Sequence, residues 1–96
     1  ASDDADNLFN KGLAQILNKD YQNALTSFRE ATSKNSNHAA AWYGAAIASA
    51  RLDNADGVVT NLTSAVKADP NLKQSALGDL EFAKFAASEP FRNALK

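Results

Sequence analysis

The sequence predicts an all-α fold built from antiparallel helical hairpins, and three observations carry that expectation. Residues of like character recur at a fixed offset of 34: Leu8, Trp42 and Ala76; Ala24 and Val58; Phe28 and Leu62; Ala31 and Ala65; Ser36 and Pro70. A repeat of that length points to stacked helix-turn-helix units. Alanine is abundant, only four glycines and two prolines interrupt 96 residues, and β-branched residues are scattered, which favours helix and leaves no sheet to expect. Apolar residues fall in stripes at helical spacing, separated by short polar breaks.

Taken in order, Ala1 to Asp6 is small and acidic, with Ser2, Asp3, Asp4 and Asp6 suited to capping and charging a helix start. Leu8, Phe9, Gly12, Leu13, Ile16 and Leu17 then form one broad apolar face. Asn18-Lys19-Asp20 reads as a turn, with Asp20 a cap for the second helix. That helix turns Tyr21, Ala24, Leu25, Phe28 and Ala31 inward and Gln22, Asn23, Ser27, Arg29 and Glu30 outward. The polar run Ser33 to His38 ends it and starts the third helix, about Ala39 to Leu52. This one is apolar nearly all round and belongs in the middle of a stack, where small side chains let neighbours approach closely.

The fourth helix, about Asn54 to Ala68, follows the break Asp53 to Gly57, in which Asp53 and Asp56 read as a turn former and a cap. It places Ala55, Val58, Val59, Leu62, Ala65 and Val66 on one face and stops at Asp69-Pro70. A fifth helix, about Leu72 to Ala87, is expected to turn Leu72, Ala76, Leu77, Leu80, Phe82, Ala83, Phe85 and Ala86 inward, with Lys73, Asp79, Glu81 and Lys84 exposed. Ser88-Glu89-Pro90 interrupts, and Arg92 stands where the repeat wants a small buried residue. The third unit is therefore cut short into a cap, with Phe91, Ala94 and Leu95 tucked back as a last turn.

Composition narrows the function. Ten basic residues face eleven acidic ones, for a net charge of −1, and no basic stripe of the kind a nucleic-acid binder carries is visible. The absence of cysteine excludes disulfides and thiolate metal sites. No apolar run approaches the roughly 20 residues of a membrane span, so direct membrane insertion is not expected and the chain reads as soluble. His38, the single histidine, lies in a polar break with no Asp or Glu beside it in sequence, and reads as a surface residue rather than a catalytic base. Asn61-Leu62-Thr63 fits a glycosylation sequon but falls mid-helix, so it reads as chance. We expect no enzyme, no metal and no cofactor. The lack of methionine and the presence of fewer than three full repeats lead us to expect a piece of a longer protein, and its style suits bacterial cytoplasm and cell envelope alike.

These residues resemble the tetratricopeptide repeat, whose pattern is Trp-x2-Leu-Gly-x2-Tyr, then Ala-x3-Phe, Ala and Pro. In the first unit Leu8, Gly12, Tyr21, Ala24, Phe28 and Ala31 match, with Asp20-Tyr21 as the usual turn pair; in the second, Trp42, Ala46, Leu62, Ala65 and Asp69-Pro70-Asn71 match. Lys11 and Ala45 replace the leucine, Gln15 and Ser49 the tyrosine, Val58 the small alanine, and Ser36 the proline. The resemblance covers nearly the whole chain as repeat 1 at about 5–38, repeat 2 at about 39–72 and a capping helix at about 73–96, stacked as a short right-handed α-solenoid.

What the resemblance implies is a protein-interaction scaffold. The first helix of each pair would line a groove for an extended peptide or a partner's helix. By position, Phe9, Asn10, Leu13 and Leu17 would come from the first helix. Tyr43, Gly44, Ile47 and Arg51 would come from the third, and Gln74, Leu77, Gly78 and Glu81 from the fifth. The family's cationic clamp for a terminal carboxylate is absent, since Phe9, Leu13, Gly44, Gln74 and Gly78 occupy those places. An apolar or aromatic-anchored segment therefore suits the groove better. Two alternatives stand beside this reading. The same residues could simply be packed or be covered by the C-terminal segment around Phe91 and Leu95. The chain could instead be a structural element that docks a neighbouring domain, or a second copy, through the apolar end of its first helix at Leu8, Phe9, Ile16 and Leu17.

Overall fold

The computed structural model describes residues 4–96; Ser2 and Asp3, expected among the capping residues, lie outside the described residues. Four long helices come first: α1 (Ala5–Leu17), α2 (Tyr21–Lys34), α3 (Ala39–Arg51) and α4 (Ala55–Ala68). Among the described residues there is no strand. α1 packs on α2, α2 on α3 and α3 on α4, so the helices stack as consecutive neighbours.

The local hydrogen bonds repeat at the offset seen in the sequence. Both hairpins turn through a residue in the left-handed region, Lys19 at φ 60° and Asp53 at φ 59°. The amides of Lys19 and Asp20 donate to the carbonyls of Ile16 and Gln15, as those of Asp53 and Asn54 do to Ala50 and Ser49. Asn35 and Asp69 each end a helix and accept an amide two residues on, from Asn37 at 3.0 Å and Asn71 at 3.1 Å. The side chains of Asp4 and His38 cap α1 and α3, accepting from the amides of Asn7 and Ala41. Asn54 caps α4 by accepting from Gly57. Asp20 does not cap α2 as the sequence predicts, because its carboxylate accepts from the Asn23 side chain at 2.8 Å instead.

Packing is organised around Phe28, which is fully buried. A Cβ at Gly12 of α1 would lie 2.6 Å from its ring, and one at Gly44 of α3 would lie 2.7 Å away. Both glycines therefore stand where a helix backbone must approach an aromatic ring more closely than any side chain allows. Each hairpin also contains a polar bridge. Ser27 Oγ donates to Gln15 Oε1 at 2.6 Å, and Asn61 Nδ2 reaches Ser49 Oγ at 3.4 Å and the Gly57 carbonyl at 2.8 Å. The two bridges stand one repeat apart with large and small partners exchanged, and they fill the level where the tetratricopeptide pattern has tyrosine. Ser27, predicted to face outward, is buried for this reason.

The C-terminal segment departs from the sequence reading. The single fifth helix is replaced by α5 (Leu72–Leu77), a 3-10 helix (Leu80–Phe85) and α6 (Glu89–Ala94). The break comes at Asp79, which is extended (φ −83°, ψ 119°) and whose carboxylate accepts from the Glu81 amide at 2.9 Å, starting a new helix instead of continuing the old one. Leu77, Leu80 and Ala83, predicted to face inward, are exposed as a result. Phe82 and Phe85 turn in, joining Val58, Leu62, Phe91 and Leu95 in one cluster. The last turn forms as predicted: Ser88 caps α6, Pro90 sits in its first turn, and α6 packs on α4.

Candidate functional site

The residues expected to line one groove fall into two groups. On α3, Tyr43 and Arg51 are engaged by the segment that follows the Asp79 break. Tyr43 Oη donates to Asp79 Oδ2 at 2.6 Å, and its ring meets Phe82 edge-on at 5.6 Å. Partial burial, then the hydrogen bond and the charge of Asp79, hold the phenol proton well above its usual range. Arg51 is bidentate to Glu81, through Nε at 2.7 Å and Nη2 at 2.8 Å, and lies over the Tyr21 ring at 5.5 Å. The Glu81 carboxylate pushes the guanidinium's pKa further up. Lys84 adds a third contact, to Asp53 at 2.7 Å. Ile47 is half-buried against the core, and Gly44 lies beneath Phe28. The α3 face is thus covered at Tyr43 by residues 79–85 rather than by Phe91 and Leu95, which pack into the core, while Arg51 is paired with Glu81 but stays exposed.

On α1 the face is open. Asn10 and Leu13 are exposed, and Leu17 is 85% exposed. Phe9 is half-buried, against Phe28 at 5.9 Å and His38 at 5.0 Å. Gln74, Leu77 and Gly78 belong to the cap, and all three are exposed.

The apolar end expected of α1 is smaller than the sequence implied. Leu8 is buried, Phe9 and Ile16 are packed on the core, and Leu17 alone of the four is exposed. α3 meets α2 through Ala41, Ala45 and Ala48. Their counterparts one repeat earlier are Asn7, Lys11 and Ala14, all solvent-exposed, so the α1 surface at that register is mostly polar.

Two features escaped the sequence reading. His38 is oriented by Asp6 of the preceding repeat, with Nε2 3.0 Å from Oδ1. Since Nδ1 accepts the Ala41 amide, Nε2 carries the proton and both ring nitrogens are occupied in holding α1 to α3. His38 follows Asp4 by one repeat length, so the register itself marks it as a cap. Asp79 is the second feature, and the dipeptide Gly78-Asp79 was its only local signal. Asn61 of the sequon is buried and donates to Gly57, in keeping with a structural role.

Among the described residues no cluster of three metal-binding side chains occurs, and no helix is long and apolar enough to cross a membrane. No protein-family model, curated protein or solved structure matches the chain.

Proposed function

We propose that this chain is a short tetratricopeptide-type array acting as a non-catalytic protein-interaction scaffold. Its partner is a protein or peptide segment bearing apolar or aromatic anchors. Asn10, Leu13 and Leu17 supply the contact surface, Phe9 supports it from below, and Gln74 and Leu77 are the further contacts this reading assigns to the cap. Tyr43 and Arg51 act in this reading by fastening the cap, and Ile47 by packing beneath it. The observation that carries the proposal is the repetition of turns and polar bridges in the register of the sequence, which leaves a row of leucines on α1 without an intrachain cover. An apolar stripe left open on a helix can take the apolar anchors of an amphipathic partner segment.

Selection from a random peptide library tests this. Enriched peptides should share apolar anchors, bind the wild-type chain, and lose at least about tenfold in affinity, or ~1.4 kcal/mol, on Leu13→Asp/Leu17→Asp. Equal binding to both proteins would refute the reading.

The same exposed leucines, with Leu80 at 88% exposure, support the second reading, docking of a neighbouring domain or a second copy. Light scattering across concentration distinguishes the two. A mass that doubles with concentration in the wild type and not in Leu17→Asp favours self-association over peptide capture.

A further inference from the structure

One depression of the described molecule lies away from the α1–α3 face. It lies between the second half of α2 and the first half of α4, with a volume of about 680 Å³. A neighbouring depression of about 340 Å³ shares Ser36 and Trp42 with it. Trp42 is half-buried, and its Nε1–H donates to the Ser36 carbonyl at 2.9 Å, which fixes the indole between the two spaces. Apart from that ring, no apolar side chain lines the larger depression.

Part of its polar lining is committed: Thr32 donates to the Arg29 carbonyl, Asn54 accepts the Gly57 amide and Asn61 donates to the Gly57 carbonyl. Thr26 and Thr63 bond back to carbonyls of their own helices. The hydroxyls of Ser33, Ser36 and Thr60 make no such bond among the described residues. Arg29 and Asp56, both exposed, belong to none of the ion pairs found there. One fixed aromatic plane is therefore surrounded by hydroxyls, one strong donor and one strong acceptor.

We propose that this trough binds a neutral linear oligosaccharide. The apolar C–H face of a pyranose would stack on Trp42. Arg29 would donate to sugar oxygens, Asp56 would accept from sugar hydroxyls, and Ser33 and Thr60 would do either. A peptide ligand would need apolar side-chain pockets, which the lining lacks. A phosphate chain would need net positive charge, and in the larger depression Asp56 offsets Arg29, the one further cation, Lys67, lining the neighbouring depression. The site is separate from the α1 surface and independent of the function proposed for it.

Trp42 is the single tryptophan of the chain, so its fluorescence reads this site alone. The wild-type chain is titrated with chitohexaose, cellohexaose and maltohexaose up to millimolar concentration. The proposal expects a saturable change with at least one of them, weakened at least about twofold in Arg29→Ala and in Thr60→Ala, as loss of one hydrogen bond of about 0.5–1.5 kcal/mol requires. Both substituted residues are exposed, and circular dichroism checks that the variants keep their helix content. No saturable change with any of the three sugars, or equal affinity in both variants, overturns it.

Discussion

From Asp4 to Asn71 the turns are made twice, in one register. From Leu72 to Lys96 the same register holds for one turn of helix and is then abandoned. The amide of Leu72 donates to Asp69 as that of His38 does to Asn35, and Ala76 is buried as the register asks. Soon afterwards Asp79 captures the Glu81 amide, the helix ends, and the chain crosses the α3 face, with Phe82 in the core and Glu81 on Arg51. The difference teaches that the repeat is written in short-range signals. Where those signals persist the hairpin is copied, and where one carboxylate competes with the backbone the same stretch becomes a cap.

The largest effect expected within the repeated part is at Phe28, because its ring is shared by both hairpins. Phe28→Ala should lower stability by about 3–5 kcal/mol, and the wild-type chain should melt in one transition by calorimetry. Two separated transitions in the wild type would mean that the hairpins do not share a core. Next come the glycines against that ring. Gly12→Ala should cost about 1–3 kcal/mol through overpacking, and Phe28→Leu in the same chain should recover part of the loss, a coupling that denaturant melts of the double mutant measure.

The polar bridges offer a smaller test. Ser27→Asn alone sets two large polar groups against each other beside Gln15 and should cost about 1–2 kcal/mol. Adding Gln15→Ser gives the first hairpin the Ser/Asn pair of the second and should restore at least half of that.

The cap has its own probe. Tyr43→Phe removes the bond to Asp79 and should cost about 1 kcal/mol at neutral pH. Because the folded state raises the phenol above its usual value near 10, it keeps the proton where the unfolded chain releases it. This stability is complete below about pH 10 and falls as pH rises beyond it, so the high-pH loss in denaturant melts should be shallower in Tyr43→Phe. Smallest is the turn. Lys19→Gly relieves a left-handed residue and should add about 0.5–1 kcal/mol, whereas Asp53→Gly should add less, since it also removes the Lys84 contact.

The four helices and their hairpin pairing were legible in the sequence, since caps, breaks and apolar stripes are local. Phe82, Phe85, Phe91 and Leu95 were legible as apolar, and the tuck of the last turn followed from Pro90. What could not be read was direction. Nothing in the periodicity of Leu72 to Ala87 distinguishes one long helix from two short ones, and Asp79 decides it through a single bond. The candidate surface suffered most from that, since residues 79–85 cover Tyr43 and pair with Arg51 while Leu13 and Leu17 stay open. The pairing of Gln15 with Ser27 was hidden for another reason: each residue looks solvent-facing alone, and only a partner across the hairpin makes its burial favourable.

Amide chemical-shift mapping of the wild-type chain with a library-selected peptide compares the engaged α3 face with the open α1 face directly. The expected result is shifts concentrated at Phe9, Asn10, Leu13 and Leu17 and at Gln74 and Leu77, with Asp56 and Thr60 silent. Shifts centred on Tyr43 and Arg51, with loss of the Asp79 and Glu81 contacts, would contradict it.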